Sequence, residues 1–245
     1  MLHYIREGAG DPLVLIHGFL GSKDLFKDVI PDLAKHFDVI AIDLPGHGQS
    51  EVEQDTYTVY DYAKAVAQVL QHEYITEAIW LGHSLGGYIV LAALEQNIAP
   101  INKAILAYSS DLADTEEQKE KRTEQQQKIA EKGVETFVDE MIGGFFSKEN
   151  IKPKEEIEIA SRIAYQASEK GLILALEAMK TRPEQHGFIE QTSTPILIIE
   201  GLQDEVVKPI QTENPIVHKV QTNTGHLGML ENPQKFVEAI LDFES

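Results

Sequence analysis

A serine lies between two glycines in Gly82-His83-Ser84-Leu85-Gly86, directly after the apolar run Ala78-Ile79-Trp80-Leu81 and before an apolar segment with Ile89, Val90 and Leu94. G-x-S-x-G between a strand and a helix marks a nucleophile at the apex of a tight turn. Glycines are needed where side chains would clash, and the hydroxyl stands exposed above the sheet. The helix N-terminus behind it favours negative charge. A hydroxyl alone is a weak nucleophile and needs a base. Of nine histidines, His226 in Asn223-Thr-Gly-His-Leu-Gly228 fits best, because it sits in a loop between the last apolar run and the final helical pattern. His83 adjoins Ser84, but neighbouring side chains in a sharp turn diverge, so it is a poor partner. His17 ends a strand pattern and His47 lies in a glycine-rich loop, and both read as hydrogen-bonding scaffold.

The base must itself be oriented by an acceptor that fixes its tautomer. Asp204, in Gly201-Leu-Gln-Asp-Glu-Val-Val207 after the apolar run Pro195–Glu200, is the expected one. Glu205 beside it and Asp111 after the preceding run are the alternatives. A tetrahedral oxyanion would need two main-chain donors. The Phe19 amide, after His17-Gly18, and the Leu85 amide behind the nucleophile are the expected pair.

These side chains can meet only if strands bring them to one edge of a sheet. Pro12–His17, Val39–Asp43, Ala78–Gly82, Lys103–Tyr108 and Pro195–Glu200 are short and almost continuously apolar, as strands are when both sheet faces are covered. Ile216–Gln221 reads as a more exposed edge strand, and the alternation in Leu2–Arg6 as an antiparallel strand at the opposite edge. Between them lie helical patterns. Thr58-Val-Tyr-Asp61 matches a capping box, and Asn232-Pro233 places an N-cap before proline at the first helical position. The expected fold is α/β: a doubly wound, mostly parallel sheet with right-handed crossovers and a helical cap inserted between two sheet strands. Residues 1–110 and 194–245 form the expected core and 111–193 the cap. Within the cap, Thr115–Lys132 is charge-rich and reads as a solvated helix face. Amphipathic pieces follow at Ile129–Met141, Ile157–Ala164 and Leu172–Met179, punctuated by Gly143-Gly144 and Pro153.

Composition narrows the function classes. Acidic residues outnumber basic ones 40 to 21, a formal charge of −19 over 245 residues. Such a chain is repelled by phosphate backbones and anionic lipid, so no nucleic-acid or membrane role is expected. With no cysteine, disulfides, thiolate metal sites and cysteine nucleophiles are excluded. No apolar run reaches the ~18 residues of a membrane span, and the first residues lack the pattern of a secretory signal. A cytoplasmic location is expected, and the oligomeric state is left open.

On these residues the chain resembles the α/β-hydrolases. The matching pieces are His17-Gly18, Asp43-Leu-Pro-Gly-His-Gly-Gln-Ser50, Gly82–Gly87, Asp204 and His226, in the family's order of serine, aspartate, histidine. It is similar to small bacterial carboxylesterases and to hydrolases that cleave C–C bonds. The resemblance implies a serine esterase with Ser84, Asp204 and His226 as triad, no metal or organic cofactor, and a small-molecule ester of short-to-medium acyl chain as partner. Phe137, Met141, Phe145, Phe146, Leu172 and Met179 are the candidates for lining its pocket, or else they only pack the cap. The menaquinone-pathway lyase of this fold carries an arginine close behind its nucleophile. Here that stretch reads Gly86-Gly87-Tyr88-Ile89, so a neutral acyl substrate is expected, with Arg122, Arg162 and Arg182 of the cap the only possible substitutes. Other expectations left open are a C–C hydrolase, lactonase or perhydrolase, that lyase, or a non-catalytic small-molecule receptor.

Overall fold

The computed structural model describes residues 1–148 and 154–244, and Pro153 lies outside the described residues. The strands are β1 (Tyr4–Gly8), β2 (Asp11–Ile16), β3 (Phe37–Ile42), β4 (Ala78–His83), β5 (Ile101–Ala107), β6 (Ile196–Gly201) and β7 (Val217–Thr222). Among the described residues they form one sheet in the order β1-β3-β2-β4-β5-β6-β7. Only β1, on β3, is antiparallel; every other pair is parallel. β3 and β4 are buried along their whole length, which is why their sequences show no polar alternation. β7, at the edge, keeps exposed positions at His218 and Lys219.

The helices are α1 (Ile30–Leu33), α2 (Val59–His72), α3 (Leu85–Glu95), α4 (Glu116–Met141), α5 (Lys154–Ala164), α6 (Glu169–Thr181), α7 (His186–Gln191), α8 (Gly228–Glu231) and α9 (Pro233–Phe243). The Thr58 capping box opens α2. The Asn232 side chain accepts from the Lys235 amide with Pro233 in the first turn of α9. The two helical pieces read on either side of Ile129 are one element, α4, broken at Gly133. There φ is 79°, a left-handed conformation that glycine adopts without steric cost. None of the helices among the described residues is long and apolar enough to cross a membrane.

Helices α4 to α7 all fall between β5 and β6. Close backbone contacts at Gly46 tie them to the sheet-bearing part, and Arg182 ties α6 to the segment that follows β5. The Ser168 amide donates to Gly46 O at 2.8 Å. Gly46 and Gly171 approach so closely that a Cβ on Gly46 would stand 2.3 Å from the Gly171 Cα. At the C-terminal end of α6, Arg182 donates to Asp114 and to the Leu112 carbonyl, at 2.6 and 3.0 Å.

Candidate active site

The turn that carries Ser84 is built from close backbone approaches. A Cβ on Gly82 would lie 2.2 Å from Gly86 O, and one on Gly86 would lie 2.3 Å from Ile16 O in the neighbouring strand. Ser84 itself is held at φ 51°, ψ −114°, a conformation that costs an L-residue roughly 1–3 kcal/mol. Ser109 Oγ donates to Ser84 O at 2.8 Å and helps to fix it. Gly86→Ala is expected to lower stability by more than ~3 kcal/mol, because neither flanking backbone can give way. Thermal unfolding measures this, and an unchanged midpoint would refute the packing argument.

His226 and Asp204 come together as spacing alone could not guarantee. His226 Nδ1 lies 2.7 Å from Asp204 Oδ2, and both side chains are almost wholly buried. Asp204 is held in turn by the Val206 amide, which donates to Oδ1 at 2.8 Å. Ser84 and His226 line one cavity of about 260 Å³. No hydrogen bond joins Ser84 Oγ to His226; in unliganded sites such contacts are commonly long and tighten only around substrate. The alternative acceptors lie elsewhere. Asp111 is 2.7 Å from His186 Nδ1, and Glu205 is exposed and paired with Lys148.

Phe19 also lines the cavity. No hydrogen-bond acceptor among the described residues engages its amide. The Leu85 amide is the first of α3 and so has no partner inside the helix. Neither amide has a hydrogen-bond acceptor among the described residues. Among the described residues no group of three or more His, Asp or Glu side chains is arranged to hold a metal.

The cavity wall departs from the sequence reading. Met141, Phe145 and Met179 line it, together with Tyr88, Arg122, Gln125, Gly144, Val206 and Val207. Phe137, Phe146 and Leu172 do not. They are buried in packing instead, Phe137 edge-on against Phe19 at 6.1 Å between centroids. The arginines separate likewise. Among the described residues, Arg162 on α5 bonds only the Glu158 carbonyl, and Arg182 is spent on Asp114, Leu112 and Met179 while covering the Tyr88 ring at 4.1 Å. Arg122 uses its Nε on Asp114 at 3.1 Å. Its two terminal nitrogens have no protein partner among the described residues. A basic group therefore does face the cavity, from a helix far from the nucleophile in sequence.

Three buried histidines support this architecture. His17 Nε2 accepts from the Leu44 amide at 2.9 Å, so its Nδ1 carries the proton given to Gly18 O at 2.8 Å. Burial, then the neighbouring His47, pushes its pKa down to about 3. His47 donates from Nδ1 to Pro45 O, and burial lowers it to about 4. His83 donates from Nε2 to the His226 carbonyl at 2.9 Å, and burial, with His226 next, holds it well below 6.5.

Comparison with known proteins places these features in context. A family model described as the alpha/beta hydrolase fold matches residues 11–233. An uncharacterized hydrolase, YugF, of Bacillus subtilis is 42% identical over 109 residues, a match that covers 44% of this chain and 40% of that protein. The 2-hydroxy-6-oxo-6-(2'-aminophenyl)hexa-2,4-dienoic acid hydrolase of Metapseudomonas resinovorans is 26% identical over 99% of this chain and 87% of its own. A thermophilic esterase of Thermogutta terrifontis, solved with malate bound, superposes with a TM-score of 0.91 at 26% identity, covering 99% of this chain and 92% of that one.

Proposed function

The chain belongs to the alpha/beta hydrolase fold family, and from that premise we propose that it is a serine hydrolase of carboxylic esters with short-to-medium acyl chains. The observation that carries this reading is the meeting, at one cavity, of a strained serine with a histidine whose far nitrogen is held by an aspartate. Ser84 Oγ attacks the ester carbonyl carbon while His226 Nε2 takes its proton. The Phe19 and Leu85 amides hold the oxyanion. Asp204 keeps Nδ1 protonated and stabilises the imidazolium. Collapse of the tetrahedral adduct expels the alcohol, which receives the proton from His226. Water activated by the same imidazole then releases the acid and restores Ser84. The apolar wall of Met141, Phe145 and Met179 suits an acyl chain, and a cavity of about 260 Å³ favours a short one. The helical cap, residues 111–193, supplies half of the lining residues, these three among them. A p-nitrophenyl ester series tests the reading: kcat/KM peaks at acyl chains of roughly four to six carbons, and no turnover on any member would sink it.

Arg122 favours a second reading, a substrate that carries a carboxylate. The Metapseudomonas relative is named for a dienoic acid and the Thermogutta esterase was solved with a dicarboxylate. Charge-assisted, bidentate recognition by a guanidinium is among the stronger hydrogen-bonding arrangements. On this reading the protein prefers a half-ester of a dicarboxylic acid, or a ketone or lactone bearing an acid group, to a neutral ester. The ratio of kcat/KM for p-nitrophenyl hydrogen glutarate over p-nitrophenyl butyrate exceeds 1 in the wild type and falls about 10- to 100-fold in Arg122→Gln. A ratio unmoved by that substitution excludes Arg122 as the anion's partner.

A further inference from the structure

His83 ends β4 and adjoins Ser84, and its side chain turns away from the cavity into the protein interior, fully buried. Its Nε2 meets the main-chain oxygen of His226 at 2.9 Å. A carbonyl can only accept, so Nε2 carries the ring's proton and Nδ1 is bare; that atom has no hydrogen-bond partner. A buried polar atom left unpaired costs stability, so this ring is retained against a penalty that an apolar side chain would not incur.

The tethers on His226 give that cost a purpose. The His226 amide donates to Phe145 O at 2.8 Å. Its Nδ1 is bound to Asp204, and its carbonyl receives the His83 proton. Every polar atom of His226 is engaged except Nε2, the one that must address Ser84. His83 also sets the spacing. Its ring lies 5.0 Å from the His226 ring between centroids. On another side it abuts Gly18, where a Cβ would stand 2.8 Å from His83 Nδ1 and 2.9 Å from Ser84 Cβ. One imidazole is thus wedged between the nucleophile turn, the loop that presents the Phe19 amide and the loop that carries the base.

We infer that His83 is a positioning residue for the reaction: by donating to the His226 carbonyl it fixes where the base's free nitrogen stands relative to Ser84. The inference rests on the reading of Ser84 and His226 as nucleophile and base. His83 remains a poor partner for the Ser84 hydroxyl, and acts instead through the base. A displacement of the order of 1 Å in a reacting group can cost ~10²-fold in rate, so the effect belongs in kcat rather than in substrate binding.

The test separates donor from bulk. His83→Gln keeps an amide donor at about the reach of Nε2, whereas His83→Met fills the space without one. Should the Met variant not fold, His83→Asn, whose shorter amide falls short of the carbonyl, takes its place. On p-nitrophenyl butyrate, the donor-less variant loses 10- to 100-fold in kcat with KM within about 3-fold, and Gln restores kcat to within about 5-fold of wild type. The rate constant for fluorophosphonate labelling of Ser84 follows the same order. Equal impairment of the Gln and donor-less variants, or a wild-type kcat without the donor, overturns the positioning role and leaves a packing role. Absence of wild-type label on Ser84 overturns the nucleophile reading instead, and this inference with it.

Discussion

Ser84→Ala removes turnover by roughly 10⁴- to 10⁶-fold, the loss found when a triad serine that acts as one unit with its base is deleted. The expectation follows from how little else is available. There is no cysteine to take over, and the other serines near the turn are engaged: Ser109 Oγ is bound to the Ser84 carbonyl, and Ser110 Oγ accepts from the Leu112 amide. Ser84 and His226 line the same cavity. Without the hydroxyl, the free Phe19 and Leu85 amides and His226 remain and can still polarise a bound ester toward water, so a small residual rate survives. Two measurements decide the matter. Fluorophosphonate treatment of the wild type adds one label, mapped by mass spectrometry to the peptide holding Ser84, and the Ala variant takes none. A variant that keeps more than about a hundredth of the wild-type rate shows that the bond is broken without a serine nucleophile, and the acyl-enzyme mechanism is then wrong.

The parts of the site legible in the sequence are those whose chemistry requires a particular backbone. Gly82 and Gly86 had to be glycines because a Cβ on either would stand under 2.5 Å from another main chain. The strand preceding Ser84 had to be apolar because both of its faces are covered. The order of strands along the sheet then carries the loops after β6 and β7 to the same edge as Ser84, which is how Asp204 and His226 come within 2.7 Å. The cavity wall obeyed no such rule. Periodicity tells which residues are buried, not which buried faces meet a void. Phe137 and Leu172 are as deeply buried as any residue of the core and touch no substrate space, while Val206, on a loop and partly exposed, lines it. The break at Gly133 adds to this, since it changes the rotational phase of α4 between Arg122 and Gln125 on one side and Met141 on the other. A single helical wheel drawn through that segment puts the wrong residues together. Arg122 lies in the charge-rich stretch read as a solvated face and was weighed only as a substitute for an arginine at the elbow, yet it lines the cavity and brings a positive charge that the elbow itself lacks.

Acidification from pH 7 to pH 5 destabilises the protein by roughly 4 kcal/mol through His17 and His47 alone, and His83 adds to the loss. In the fold His17, His47 and His83 are neutral, and each is locked in one tautomer by a main-chain partner: Gly18 O and the Leu44 amide, Pro45 O, and the His226 carbonyl. A second proton on His17 would sit on Nε2 and break the bond from Leu44; on His47 or His83 it would add a buried charge at a nitrogen with no acceptor. Their folded pKa values lie at about 3 and about 4 for His17 and His47, and well below 6.5 for His83. The unfolded chain titrates near 6.5. Because the folded values lie below the unfolded one, the stability is present above pH ~6.5 and is lost as pH falls, when the unfolded state binds protons that the fold refuses. His17 and His47 then each contribute about 2 kcal/mol of the loss between pH 7 and 5, and His83 adds to it in the same direction. Since domains of this kind are stable by only ~5–15 kcal/mol, the midpoint of thermal or urea unfolding drops steeply across that range. The slope of stability against pH between 6 and 5 corresponds to about two protons taken up on unfolding by His17 and His47, with His83 steepening it further. A stability that stays level from pH 7 to 5.5 would mean that these rings accept protons within the fold, and the tautomers assigned to them would have to be abandoned.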